Sequence, residues 1–512
     1  MSENAPSRTA PETPPAVYDA TTLGKPRMFV LGIQHMFAMF GATILVPVLT
    51  GLSVSDTLLF AGLGTLLFHF LAKGKVPAFL GSSFAFIAGY AAIAPNGEAN
   101  LLPYACLGVA CAGLLYLVLS ALFRLFGPAR VMRFFPPVVT GPIVICIGLI
   151  LASSAIANCS TNWLVAIIAI AAIIVCNIWG RGMVKIVPIL IGVVVSYMAA
   201  AALGEVDFSG VAQAAWIGLP FTWDNTVFSL FGENFDAGLA ITAIITIMPL
   251  AFATMIEHIG DISAISSTCE RNFIANPGLH RTLLGDGLAT ILASLFGAPA
   301  NTTYGENTGV LALTRVFDPR VVRIAACCAI ALSSCPKFAA VIGAMPASVI
   351  GGVSLVLYGM ISAVGVRNLV ENHVDFQKSR NVLVAAIVLV LSIGIAYSAA
   401  GAVTFDVAGV TISLSGLAIG SLAGIILNAV LPYKDYESTW ASLAKGSKGI
   451  AQKCLVLREA AVNSLADERQ SQLLPLSGNV DKEPKAQLPR ACRREVERVR
   501  SSFAVRCGTC TP

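Results

Sequence analysis

The chain has 512 residues, 56% of them hydrophobic and only 12% charged, with a mean hydropathy of +0.79. That charged share is about half of what soluble domains carry, so a cytosolic enzyme, a nucleic-acid binder and a secreted disulfide scaffold are excluded and a polytopic membrane protein is expected. The formal net charge of +5 matters only through where the charges lie.

Residues 1–27 are polar and Pro-rich and do not read as a cleavable signal. A membrane span takes about 20 mostly apolar residues. Apolar runs follow at 28–49, 54–72, 78–94, 101–123, 136–154, 163–180, 183–203, 238–259, 283–297, 302–317, 321–344, 346–366, 381–400 and 410–432, fourteen in all. Those at 78–94, 283–297 and 302–317 are short or interrupted by polar residues and glycine. Charge supports keeping them. Of nineteen Lys and Arg before residue 434, the fourteen-span count puts eighteen on one face and only Lys337 on the other. Basic loops face the cytoplasm, so both termini are expected there. The loop at 204–237, on the opposite face, carries Glu205, Asp207, Asp224, Glu233 and Asp236 and no basic residue.

Residues 434–512 hold fourteen of the thirty-three basic residues and read as a charged, mostly unstructured cytoplasmic tail. Arg490 to Arg506 has the alternative of a basic helix at the membrane surface. Most of the thirteen cysteines lie in or beside apolar runs, as small hydrophobes do, without metal-ligand spacing. Cys507–Cys510 has the C-x-x-C form but is a lone pair in a polar tail. No cofactor or metal is expected.

Two segments suggest an internal repeat. Pro77 to Phe84 aligns with Pro299 to Glu306 at an offset of 222, and Pro136, Val139 and Gly141 align with Pro346, Val349 and Gly351 at an offset of 210. These matches pair span 3 with span 10 and span 5 with span 12, and an odd count of seven inverts the second copy. Spans 3 and 10 are also two of the poorest helices. Broken segments at matching positions point to a transporter's midplane site, because non-helical backbone survives at that depth only where it is buried or lines a cavity.

Acidic residues inside the spans are Glu257, Asp261, Asp286 and Glu306. Each costs about 2.5–3.5 kcal/mol or more at the bilayer centre and implies a partner, a proton or a substrate. Glu257 and Asp261 are four apart, on one helical face, so they repel and one is expected to hold a proton. The alternative for Asp261 is a helix cap in water. His258 and His69 read as packed or hydrogen-bonded. Glu306 lies in Tyr304-Gly305-Glu306-Asn307-Thr308-Gly309, where glycine admits a ligand to the backbone and the side chains suit a planar heterocycle. Gln34-His35 interrupts the first span, either for an interhelical hydrogen bond or for ligand contact. Phe84 offers a ring for stacking or for core packing.

Gln34-His35, Glu257-His258-Ile259-Gly260-Asp261 and Glu306-Asn307-Thr308-Gly309 through Thr314-Arg315 together resemble the nucleobase–ascorbate transporter family, over about residues 25–433. The resemblance implies an all-α polytopic membrane protein with fourteen segments as a seven-plus-seven inverted repeat. A core domain (spans 1–4 and 8–11) would move against a gate domain (spans 5–7 and 12–14) within residues 28–433, and spans 3 and 10 would each contain a short strand. It further implies that Glu257 and Glu306 hydrogen-bond the base, with backbone N–H groups near Phe84 and Gly305 on its carbonyls and Asn307 in the same signature. His35, Asp261, Asp286 and Gln34 would support the site and couple it to protons. A homodimer in the inner or plasma membrane, with lipid around it, is the expected assembly. Glu306 is typical of uracil permeases of the family, while Asp261 is what its purine carriers have; uracil is therefore the expected substrate and xanthine or urate the alternative. An intramembrane aspartyl protease would need Gly-x-Gly-Asp, which Leu283-Leu284-Gly285-Asp286 lacks. An anion carrier of the same fold would need a positive site, and a channel would not need paired titratable groups.

Overall fold

The computed structural model describes residues 16–127, 131, 135–220, 222–231, 235–407 and 410–432. The 434–512 tail, with its Arg490–Arg506 stretch and Cys507–Cys510, lies outside the described residues, as do residues 1–15.

The apolar runs become helices, in chain order α1 (Lys25–Thr50), α2 (Val54–Leu71), α3 (Ile87–Ile93), α4 (Leu102–Phe126), α5 (Pro137–Cys159), α6 (Trp163–Trp179) and α7 (Pro188–Ala202). There follow α8 (Ala237–Ile247), α9 (Ala251–Thr268), α10 (Leu279–Leu295), α11 (Gly305–Thr314), α12 (Pro319–Ser333), α13 (Pro336–Gly343), α14 (Ala347–Glu371), α15 (Ser379–Ala396) and α16 (Gly416–Val430). Among the described residues, seven helices are long and apolar enough to cross a membrane, α8 and α9 counting as one; the pair α12–α13, bent by 85°, makes an eighth. Pro249 sits in the 3-10 turn that joins α8 to α9, as expected for a residue that cannot donate to the helical ladder.

Spans 3 and 10 each begin with a strand, β1 (Leu80–Ser82) and β2 (Asn301–Thr303). They pair antiparallel with Gly81 opposite Thr302. The register continues outward, Ser83 N donating to the Ala300 carbonyl at 2.9 Å and Tyr304 N to the Phe79 carbonyl at 3.0 Å. Thr65 of α2 accepts from Leu80 N at 2.9 Å, Thr290 of α10 donates to the Asn301 carbonyl at 2.7 Å, and Asn301 Nδ2 donates to the Phe60 carbonyl at 2.9 Å. Polar side chains of neighbouring helices thus satisfy strand backbone that hydrocarbon could not. The pairing is two-fold symmetric about Gly81 and Thr302, an offset of 221. This corrects the offset of 222 read from the sequence by one residue. Phe84 therefore corresponds to Gly305 and not to Glu306; a one-residue gap is invisible where only a proline and an alanine carry an alignment.

A second difference lies at 410–432, expected as one span. Val410–Ser415 forms β4, paired with β3 (Ala402–Val407) in an antiparallel hairpin, and only α16 is helical. Val410-Thr411-Ile412-Ser413-Leu414-Ser415 alternates apolar and polar residues with the period of a strand, which an average over hydropathy conceals. Thr246 Oγ1 of α8 donates to the Ser413 carbonyl at 2.6 Å.

The helices pack in two groups. In one, α2 lies against α10 and α12, α4 against α10 and α8, and α1 against α12. In the other, α5 lies along α14 and α15, α6 against α7 and α14, and α15 against α16. Helices in lipid gain from close approach of small residues, and α5 and α14 show it. A Cβ on Gly141 would meet Leu369 and the Gly365 carbonyl; one on Gly351 would meet Asn158 and Cys159. One contact recurs at the offset of 210 read from the sequence: Gly141 on Leu369 corresponds to Gly351 on Cys159. Lys337, which the span count sets apart from the other cations, has its charge met locally: Nζ donates to the Ala212 carbonyl at 3.4 Å and lies 5.1 Å from the centre of the Trp216 ring.

Gly148 and Gly359 provide a paired test. A Cβ at Gly148 would strike the Tyr358 carbonyl and Ser362 Oγ, whereas one at Gly359 meets nothing within 4 Å. Gly148→Val is expected to lower the melting temperature of the purified protein, by overpacking worth about 1–3 kcal/mol. Gly359→Ala should leave it unchanged or raise it, by up to about 1 kcal/mol. Thermal unfolding in one detergent measures both.

Candidate functional site

The strand pair leaves two helical segments starting in the protein interior. Phe84 opens a 3-10 turn that runs into α3, and Gly305 opens α11. The first N–H groups of a helix have no intrahelical acceptor, and the aligned peptide dipoles make that end partly positive. Gly305 and Gly309 are exposed although their neighbours Tyr304, Asn307 and Val310 are buried. Gly260, on α9, is exposed as well.

α9 packs on β2 and α11 and brings the carboxylates together. Glu257 is within electrostatic reach of Glu306 and Asp286, and Asp261 of all three, with no Lys or Arg among the groups acting on either. Thr303 Oγ1 donates to Asp261 Oδ2 at 3.2 Å and stands 3.3 Å from His258 Nδ1. His258 Nδ1 lies 3.2 Å from Asp286 Oδ2, both side chains being fully buried. Asp261, Thr303, His258 and Asp286 thus form a continuous polar row from the site into the α4–α10 layer. Asp261 is not a cap in water: the helix runs on to Thr268.

The remaining expected residues fall on both sides of the site. Asn307 Nδ2 donates to the His35 carbonyl at 3.1 Å and stands equally close to His35 Nδ1. Of the two alternatives for His35, the structure therefore displays the interhelical hydrogen bond. Gln34 Oε1, Ser83 Oγ, Asn307 Oδ1 and Thr308 Oγ1 are buried without a hydrogen-bond partner among the described residues. Unsatisfied buried polar groups are costly, and these four lie beside the two helix starts, where a polar ligand would satisfy them. Phe84 is half-buried and meets the ring of Tyr358 on α14 edge-on, with centroids 6.3 Å apart.

Several residues escaped the sequence reading. Thr303 was hidden in a segment too short to show a pattern. Tyr358 is one aromatic in a long apolar helix, and nothing local distinguishes it. Tyr304, whose hydroxyl donates to the Ser82 carbonyl at 2.8 Å, ties the end of β2 to β1. Asp56 is a fifth acidic residue inside an apolar run, fully buried, with Asn225 Nδ2 of the 204–237 loop 3.5 Å from Oδ2. Its signal was legible: Ser53-x-x-Asp56 is a capping pattern, and Ser53 Oγ accepts from Asp56 N.

The site therefore offers carboxylates to N–H donors, helix-start N–H groups to carbonyl oxygens, and one aromatic face. These groups stand together where two helical segments begin beside a strand pair. Residues 26–401 match the family model Xan_ur_permease, described as the Permease family, and the chain belongs to that family of membrane permeases. It is 41% identical over 425 residues to the uracil permease of Bacillus caldolyticus, covering 81% of this chain and 94% of that one. It is 38% identical over 411 residues to the uracil permease of Escherichia coli (strain K12), covering 78% and 90%. In fold it resembles the transmembrane domain of the cyanobacterial bicarbonate transporter BicA (TM-score 0.52, 14% identity, 81% and 99% covered). It likewise resembles SLC26A9 (TM-score 0.57, 14% identity, 81% and 66% covered).

Thr303→Val removes the one hydroxyl that contacts both Asp261 and His258 while keeping strand-compatible shape. It should lower the melting temperature, by about 1–3 kcal/mol for buried polar partners left unpaired, and Thr303→Ser should restore it. A wild-type melting curve for the valine variant would mean that the row is not a cooperating network.

Proposed function

We propose that the chain is a proton-coupled symporter that imports uracil across the cell membrane by alternating access. The observation that carries this is the cluster of Glu257, Asp261, Asp286 and Glu306 with no basic residue acting on Glu257 or Asp261. In a low-dielectric site such a set cannot be fully ionised, so protons are its natural counter-charge. The uracil permeases among the relatives support the substrate.

Uracil is a planar ring edged by two N–H and two C=O groups. Glu257 and Glu306 accept from the N–H groups. The backbone N–H groups near Phe84 and Gly305 donate to the carbonyls, and the Phe84 ring packs on the base. Asp261, with Thr303, His258 and Asp286, passes the proton; His35 and Asn307 hold α1 against α11. Fourteen crossings in a seven-plus-seven inverted repeat accommodate this, with both termini in the cytoplasm. The two-fold strand pair and the matched contacts of α5 and α14 support the repeat. The two packing groups support a core, residues 25–126 and 237–343, that moves against a gate, residues 137–202 and 347–430.

Uptake of labelled uracil into vesicles should be greater under an imposed inward proton gradient than under an equal sodium gradient. Sodium-driven, proton-independent uptake would remove the coupling assignment. Asp261, shared with purine carriers, favours xanthine as the second reading, and competition by xanthine in the same assay decides it.

The two glutamates should differ in kind. Glu257→Gln should abolish accumulation against a gradient. Glu306→Gln should weaken uracil binding by about 1–3 kcal/mol, the cost of an unsatisfied buried partner. Unchanged uracil affinity in purified Glu306→Gln protein would place Glu306 outside the site.

A further inference from the structure

α2 and α4 end, and α10 begins, at one point on the face assigned to the cytoplasm. Three hydrogen bonds fix the junction. Arg281 Nη1 donates to the carbonyl of Leu71 at 3.3 Å, Ser120 Oγ donates to the carbonyl of His280, and Lys75 Nζ donates to Asn276 Oδ1 at 2.7 Å. Around His280 stand Arg281, Arg124 and Lys73. Partial burial, and then these three cations, hold its imidazole below the usual range. No carboxylate is among the groups acting on it.

Elsewhere on this face some cations are paired. Arg315 pairs with Glu270, Arg320 with Asp19 and Asp318, Arg367 with Glu371, and Lys378 with Asp375. Lys73, Arg124 and Arg281 have no ion-pair partner among the described residues, as is also true of Lys25, Arg27, Lys75, Arg181, Lys185, Arg271, Arg323 and Arg380; what sets the three apart is that all of them act on one histidine. The negative ends of α2 and α4 account for a cation apiece, but not for three beside a histidine. Lys73 and Arg124 are exposed, and each is flanked by an apolar side chain that faces outward: Phe70 is 80% exposed and Leu125 75%. Cationic groups at the rim, with hydrocarbon-facing side chains next to them, match a molecule that is anionic at one end and apolar along its length. Basic pockets between helices on the cytoplasmic side are the setting in which anionic headgroups bind.

We propose that Lys73, Arg124 and Arg281 bind the phosphate of an anionic phospholipid of the cytoplasmic leaflet, whose acyl chains lie over Phe70 and Leu125. The choice of leaflet rests on the orientation proposed above; binding itself does not, and it can be measured in micelles without reference to sidedness or to uracil.

The full-length protein, purified in detergent, is titrated with phosphatidylglycerol or phosphatidylcholine, and bound lipid is followed by native mass spectrometry. Saturable binding of phosphatidylglycerol over phosphatidylcholine is expected. The double variant Lys73→Gln/Arg124→Gln breaks none of the hydrogen bonds above, and it should weaken phosphatidylglycerol binding on the order of tenfold. Adding Arg281→Gln should weaken it further, with melting curves confirming that each variant is folded. A control of equal charge loss, Arg181→Gln/Lys185→Gln, should bind as the wild type does. Equal affinity of the test and control doubles would reduce the cluster to diffuse attraction and overturn the site. Displacement of phosphatidylglycerol by inorganic phosphate at equal concentration would show a free-anion site and overturn the lipid assignment.

Discussion

Backbone that is not helical has no place in hydrocarbon unless every N–H and C=O finds a partner. The fold is organised around meeting that condition in the two interrupted segments. Each supplies three strand residues, and each strand is the other's partner. The side chains that complete the pairing, Thr65, Thr290 and Asn301, come from or reach to α2 and α10. The strand pair therefore locks those helices to the interruption. It also sets where the helical segments after each strand begin, and with them the free N–H groups of the site.

Carboxylates gather at the same place for a related reason. A lone ionised carboxylate in the interior is expensive, yet α9 brings Glu257 and Asp261 to Glu306 and Asp286 without a cation. Among the described residues no Lys or Arg acts on Glu257 or Asp261. Such a separation gives up ion pairing inside the protein, and in the proposed mechanism it leaves the acidic groups free to exchange protons and to accept from a substrate. A basic residue in the site would neutralise the cluster permanently.

Much of this was legible in the sequence. Apolar runs located the helical segments. The four carboxylates stood out because acidic groups are rare in such runs. The limits are physical too. A hydropathy average is blind to period, so the alternation at Val410–Ser415 was absorbed into a span. A repeat that survives in a few small residues fixes equivalence only to within a residue, which is why Phe84 was set against Glu306 and not Gly305. Contacts between distant segments, such as Thr303 with His258 or Phe84 with Tyr358, depend on how helices cross, and no local pattern encodes that.

Glycine usage separates scaffold from site. A glycine in a helix is about 1 kcal/mol less favourable than alanine, so each needs a reason. Along α5 and α14 the reason is contact: Gly141, Gly148, Gly351 and Gly365 each occupy positions where a Cβ would strike the facing helix. Gly260 and Gly309 have no such neighbour, a Cβ on either meeting nothing within 4 Å, and at Gly305 only Asp261 Oδ1 comes near, at 3.5 Å. These three line up on α9 and α11 beside Glu257, Asp261 and Glu306. Packing does not require them to be glycine, and backbone exposed to hydrocarbon would be a penalty. In the proposed mechanism they keep space and bare backbone beside the acidic groups, where a flat molecule approaches both the peptide N–H groups and the carboxylates.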